Sequence, residues 1–331
     1  MISWRDALLK VAYRVLNNAV VEALMVAFIA IVYIVVKAAD RVLHTHIRRR
    51  LIDWIHGISR DDLNVFRKAQ IRYVFRKKYG LKKIKIGLAG GSYWMSIPCV
   101  VEGVDRRTKQ PKKFLAKIIN DRSALMHRYM TILRNLGVLA ERATLAFDGH
   151  EGAQDMIEFE RNSLMLLKNR RVNVPEVFGT HKLNHDDYVL VMQFIEGRPL
   201  SKVELTDEVI GQVFSTLKAM EDTGVFHGDI KLDNFLYSDG RLYVVDCLKI
   251  DRRELWRAND FDLICAICAL SQQVPVSRVF EQALKYHPEE ELQRAGSLLG
   301  VAVNKVDLDL PVETIEEIRA RLKIRQPVPA R

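Results

Sequence analysis

The spacing of apolar residues changes along the chain, and the changes divide it. In residues 1–18, MISWRDALLKVAYRVLNN, the apolar positions Trp4, Leu8, Val11, Tyr13 and Val15 stand among basic ones, as in a short amphipathic helix. The next run, AVVEALMVAFIAIVYIVV from Ala19 to Val36, is apolar apart from Glu22 in its first turn. Its length suits the hydrocarbon core of a bilayer and predicts a transmembrane helix over 19–36; a buried helix or a helical-hairpin core is the alternative. It does not fit a cleaved signal, since the run is long and no small-residue cleavage site follows. Residues 37–82 read as a basic helical region carrying Lys37, Arg41, Arg48, Arg49, Arg50, Arg67, Lys68, Arg76, Lys77 and Lys78. Positive residues beside a span stay on the cytoplasmic side. The expectation is a single-pass membrane protein with its body in the cytoplasm and a basic flank able to lie on an anionic membrane surface.

From Lys83 onward the period shortens. KKIKIGLAGGSYWMSIPCVVEGVD predicts two strands joined through a glycine turn, and after the polar DRRTKQPKK comes a further strand, KFLAKII. A helical region follows from about Ser123 to Leu167, and strands recur at EVFGTHK and YVLVMQFIE. Beyond Thr206 the pattern is mainly helical, as in FDLICAICAL and SRVFEQALKY. A strand-rich part before a helix-rich part predicts an α+β fold of two lobes, 83–192 and 193–331, with a cleft between them.

Composition adds limits. The 331 residues are 49% hydrophobic and 28% charged, which supports a large core and excludes a mostly disordered chain. The net charge of +10 leaves nucleic acid, an anionic surface or a polyanionic ligand as partners; nucleic acid is disfavoured because no nucleic-acid motif accompanies the cations. Cys99, Cys247, Cys265 and Cys268 are too few for a disulfide framework, and Cys265 and Cys268 sit in an apolar helical run that favours core packing over a zinc site.

The chemistry concentrates in VFHGDIKLDNFLYSDGRLYVVDCLKID, Val225 to Asp251. If its two apolar blocks pair around SDG, Asn234 and Asp246 come together at one end of the ribbon. An amide oxygen and a carboxylate there could hold a hard cation such as Mg²⁺. Asp229 could then orient or deprotonate a hydroxyl, and Lys231 could add positive charge to a migrating phosphoryl group.

HGDIKLDNFLY followed by VVD resembles the catalytic loop and metal segment of the protein-kinase-like superfamily, and its His-Gly-Asp form is similar to RIO-type and other atypical kinases. The distance from the helix around Glu160 to NVPEVFG also resembles lipopolysaccharide-kinase-like sequences. The resemblance implies a bilobal kinase-like fold binding ATP with Mg²⁺, or Mn²⁺ as the alternative. It implies Asp229 and Lys231 as catalytic residues, Asn234 and Asp246 as metal ligands, and His227 and Asp262 as structural support. Asp262 would brace the catalytic loop, with Asp260 the alternative and an N-cap role the bland reading. Lys117 in FLAKII corresponds to the strand lysine that grips phosphates, and Gly90, Gly91 and Ser92 to the phosphate-cradling turn. Its helical partner would be Glu160, on the edge of an apolar face, with Glu158 the alternative. Gln193 and Ile195 would present backbone groups to adenine, and Met192 would back the pocket.

The pattern also departs from typical kinases. Asp-Cys-Leu replaces Asp-Phe-Gly, no Ala-Pro-Glu follows, and little chain separates Asp246 from Asp262. Regulation by loop phosphorylation is therefore not expected. Between Lys117 and Glu160 lies a long region containing FDGHEGAQD, a substrate element, a lid or a plain insertion. The resemblance implies a phosphotransferase acting on an alcohol group. It would be a Ser/Thr protein kinase, a kinase of a membrane lipid or lipid-linked sugar, or a non-catalytic nucleotide-binding scaffold.

Overall fold

The computed structural model describes residues 63–89 and 96–323, apart from 142, 144, 186, 248–254, 306 and 307, together with Phe28, Ile31 and Val35. The chain divides into units Met1–Ile58 and Ser59–Arg331. The expected membrane span, 19–36, lies outside the described residues but for those three, which are helical and exposed. Among the described residues no helix is long and apolar enough to cross a membrane. The turn residues Gly90, Gly91 and Ser92 also lie outside the described residues.

Among the described residues the second unit opens with α1 (Val65–Lys78), capped by the Asn64 side chain, which accepts from the Arg67 N–H at 2.9 Å. An antiparallel sheet follows in the order β1-β2-β3-β5-β4. Its strands are β1 (Leu81–Leu88), β2 (Ile97–Asp105), β3 (Pro111–Asn120), β4 (Val177–Lys182) and β5 (Asp187–Gln193). Strand alternation gives the sheet two apolar faces. One packs Phe114, Ala116, Ile118, Val189 and Val191 against Ile71 and Phe75 of α1. That helix, read in the sequence as part of a basic flank, thus shares the core of the sheet. Arg67 fixes it with a paired contact to Asp187, Nε to Oδ2 at 2.8 Å and Nη2 to Oδ1 at 2.9 Å.

The other face, with Ile119, Leu190 and Met192, joins the larger core. Two helices separate β3 from β4: α2 (Asp121–Ala140), which opens on an Asn120–Ser123 capping box, and α3 (Ala153–Asn169). The helical region expected from Ser123 to Leu167 is thus broken in two. In the break, Asn135 clamps Phe147 by donating to its carbonyl at 2.9 Å and accepting from its N–H at 2.8 Å. Phe147 is buried and meets Phe261 edge-on, with ring centroids 5.4 Å apart.

After β5 the chain enters the helical lobe through β6 (Arg198–Pro199), α4 (Asp207–Glu221), the hairpin β7 (Phe235–Ser238) and β8 (Arg241–Val244), α5 (Leu255–Leu270), α6 (Val276–Ala283), α7 (Glu289–Gly296), α8 (Leu299–Val303) and α9 (Val312–Arg321). A Cβ at Gly197 would lie 2.8 Å from the Tyr237 carbonyl, so only glycine lets this crossing segment pass. Cys265 and Cys268 are buried on α5, as the apolar pattern predicts.

Candidate active site

The β7–β8 hairpin pairs Phe235 with Val244, and the Val245 N–H donates to the Asn234 carbonyl at 3.1 Å. Asn234 and the residue before Asp246 are thereby held side by side, as the pairing around SDG predicts. Asp246 itself has φ of 64°, a left-handed conformation that aspartate tolerates better than most residues.

The loop ahead of the hairpin is held from below and behind. Asp262, well inside α5, accepts from the backbone N–H groups of His227 at 2.7 Å and Gly228 at 2.8 Å. Burial raises its pKa to about 7, against the pull of those two donors. Asp260 turns away to pair with Arg294 at 2.9 Å. Gly228 has φ of 71°, the conformation that favours glycine and accounts for its place between His227 and Asp229. His227 Nε2 lies 2.8 Å from the Val245 carbonyl, while Nδ1 faces the Asp229 N–H at 3.3 Å. Those partners require a proton on Nε2 and a lone pair on Nδ1, the neutral ring. Burial favours that form and lowers the His227 pKa to about 4.

Above the loop stands Lys117 of β3, in register with Leu190 of β5. Its Nζ donates to Glu160 Oε1 at 2.8 Å and also contacts Asp246 Oδ1. Burial alone would favour the neutral amine, but Asp246 and Glu160 reverse this and raise its pKa above the ordinary lysine value. Burial opposes ionisation of Asp246 too, and Lys117 outweighs it, so that acid is lowered. Glu158 is exposed and bonds to Gln154, so the helical partner of Lys117 in this structure is Glu160.

Asp229 is buried, yet cations surround it: Lys305 Nζ at 3.2 Å, Arg134 Nη2 at 3.4 Å and Lys231 Nζ at 3.5 Å. Burial raises the acid, but Lys305, Lys231 and Arg134 overcome this and hold it well below the usual carboxylate range. Asn234 Nδ2 donates to the Asp229 carbonyl at 2.9 Å, which directs the amide nitrogen away from any cation and leaves the amide oxygen as the ligand atom. A carboxylate and an amide oxygen form a hard donor set suited to Mg²⁺. Arg134 on α2 and Lys305 just beyond α8 were not legible as site residues, because a lone cation on a helix or loop carries no spacing signal. Gln193 ends β5 with its N–H committed to the Glu176 carbonyl at 2.7 Å, and Ile195 beyond it is buried. Met192 is buried in the core behind it.

Among the described residues, one other cluster has metal-like spacing: Glu221, His287 and Glu291. Lys218 Nζ pairs with both of its carboxylates, at 2.8 and 3.0 Å, so an ammonium already fills that position.

A sheet lobe, a helical lobe and this loop make the fold protein-kinase-like, and residues 142–250 match the RIO domain family. Over 100 residues the chain is 31% identical to a "Probable bifunctional tRNA threonylcarbamoyladenosine biosynthesis protein" of Methanosarcina acetivorans, covering 29% of this chain and 18% of that one. It is 25% identical over 157 residues to the KEOPS complex subunit Bud32 of Pyrococcus abyssi, covering 45% of this chain and 70% of that subunit. The chain therefore spans under a fifth of the first relative's length. A crystal structure of a provisionally named fructosamine-3-kinase from Haemophilus somnus 129PT aligns with a TM-score of 0.39 at 12% identity, covering 78% of this chain and 99% of that one.

These relatives correct the expected single-pass membrane localisation. They are described as a tRNA-modification protein and a KEOPS subunit, and no described helix could cross a bilayer. The physical reason is that length and apolarity alone do not fix what surrounds a helix, so a run of bilayer length is compatible with a span without requiring one. The membrane lipid or lipid-linked sugar acceptor and the anionic membrane surface lose their support with it.

Proposed function

We propose that the chain is an ATP- and Mg²⁺-dependent phosphotransferase of the atypical kinase type, moving a phosphoryl group to a hydroxyl on a protein. The observation that carries this reading is the buried Lys117–Glu160 pair reaching Asp246 across the cleft from the His227–Asp229 loop. Lys117 binds nucleotide phosphates and Glu160 orients it. Asp246 and the Asn234 amide oxygen would hold Mg²⁺, with Mn²⁺ the alternative, which when bound screens the phosphate charge. Asp229 positions the acceptor hydroxyl and takes its proton as the oxygen attacks, while the bond to the nucleotide's leaving oxygen breaks. Lys231 offsets charge on the moving group, and Asp262 and His227 keep the loop in register. Such transfer depends mainly on placement and charge, which this residue set supplies. Gly90, Gly91 and Ser92 would cover the phosphates, and the Gln193 carbonyl and Ile195 N–H would meet adenine.

The Bud32 similarity favours a protein partner, since that relative is named as a complex subunit. The test is labelled phosphate transfer from γ-labelled ATP by the purified chain, alone and with candidate protein partners, against Asp246→Asn and Asp229→Ala. Label that depends on both acids supports the reading. Nucleotide binding without any such transfer would leave a non-catalytic nucleotide-binding scaffold instead.

A further inference from the structure

The two oxygens of Asp229 face different company. Oδ2 has Asn234 Nδ2 at 3.4 Å and Lys231 Nζ at 3.5 Å. These are the metal and phosphoryl residues of the function proposed above. Oδ1 has Arg134 Nη2 at 3.4 Å and Lys305 Nζ at 3.2 Å, and neither is among the residues assigned to nucleotide above. Lys305 also donates to the Ile230 carbonyl at 3.0 Å, so the loop backbone fixes its position. Both cations lie outside residues 142–250, the part of the chain that matches the RIO domain. The elements that carry them are tied together: Glu141, which caps α2, accepts from Asn304 Nδ2 at 2.9 Å.

Hydrogen bonding leaves room for an anion here. The Arg134 Nη1 atom is buried with no hydrogen-bond partner, although its sister nitrogen is on Asp229. A buried guanidinium donor without a partner is costly, and a planar fork with one prong unused suits a second oxyanion. An acceptor hydroxyl must approach Asp229 on the side not taken by metal and nucleotide, the Oδ1 side.

We propose that Arg134 and Lys305 form an oxyanion site that selects an acceptor bearing a phosphate-like group beside its reacting hydroxyl. The inference rests on Asp229 as the acceptor-positioning acid. It assigns α2 and the end of α8, rather than the catalytic loop, the task of reading the acceptor.

The experiment is calorimetry on the full chain. Mg-AMPPNP is titrated first; failure to bind would sink the proposed function itself, and this inference with it. Inorganic phosphate is then titrated into AMPPNP-saturated protein, so that the nucleotide's own γ-phosphate cannot leave its place open. Phosphate should bind, and Arg134→Gln and Lys305→Gln should each weaken it about tenfold, as loss of one charge-assisted hydrogen bond would. Arg134→Lys, which keeps charge but loses the fork, should fall between. AMPPNP affinity should stay within about twofold in all three variants, whose melting curves check folding. The idea is overturned if saturated wild type binds no phosphate or if the glutamine variants bind it as wild type does. It is equally overturned if the variants weaken AMPPNP, which would assign the cations to the transferred phosphoryl group.

Discussion

Replacing Asn135 tests whether the segment between the lobes is held by a single amide. Its side chain makes both bonds to Phe147, donating at 2.9 Å and accepting at 2.8 Å. Phe147 is 5% exposed, so its backbone has little water to turn to. Asn135→Ala leaves one buried N–H and one buried carbonyl unpaired, at about 1–3 kcal/mol each. Asn135 itself is only partly buried, so water recovers some of this, and about 2–4 kcal/mol is expected. For a domain of this size that corresponds to a drop in melting temperature of about 5–15 °C. Asn135→Asp is the sharper probe. It can still accept from the Phe147 N–H, but it sets a carboxylate against the Phe147 carbonyl. It should therefore lose about as much as alanine at neutral pH and recover in part near pH 4, where the acid takes a proton and can donate. The assay is calorimetric melting of wild type and both variants at pH 7 and pH 4. A shift under about 1 °C for alanine, or an aspartate variant as stable as wild type at pH 7, would refute the clamp.

The cleft and the loop give further expectations. Glu160→Gln should weaken AMPPNP about tenfold or more by calorimetry, the size of one charge-assisted hydrogen bond, whereas Glu158→Gln should leave it unchanged. Gly228→Ala, at φ of 71°, should cost about 1–2 kcal/mol in urea unfolding, and a neutral result would mean the loop does not hold that angle. His227 has a folded pKa lowered to about 4 from the ordinary 6.5, so its contribution to stability is present above pH 6.5 and is lost as pH falls from there to about 4. That loss is about 3 kcal/mol. The difference in unfolding free energy between wild type and His227→Gln, followed from pH 7.5 to 4, should shrink toward acid; a flat difference would contradict the neutral buried ring.

The parts legible in the sequence are those written in short-range spacing. Strand alternation located β1 to β5, and the helical period favoured Glu160 over Glu158 without deciding between them, since Glu160 lies on the edge of the face carrying Leu164 and Leu167. The hairpin turn brought Asn234 beside Asp246 because pairing around two turn residues leaves one register. Asp262 lies well inside α5, which begins at Leu255, a position the sequence pattern left open to an N-cap reading. What was not legible depends on contacts distant in sequence. Arg134 and Lys305 reach Asp229 from 95 and 76 residues away, and nothing near them on the chain announces it. The buried face of α1, with Ile71, Val74 and Phe75 at helical spacing, was present in the pattern. Its many lysines and arginines drew the reading toward a membrane flank instead.

The segment between β3 and α3 changes how the two lobes can move. The chain crosses from the sheet lobe to the helical lobe after β5, and a single crossing of that kind acts as a hinge. Here a second link leaves β3, rests Phe147 on Phe261 of α5, bonds Glu141 to Asn304, and returns to α3. A body attached at one point can swing in any direction, but one attached at two can only rotate about the line joining them. Any opening of the cleft would then be a roll about that axis, and a wider gape would require the Phe147 and Glu141 contacts to let go first. The ease of opening would then be set by the grip of the second link rather than by the hinge.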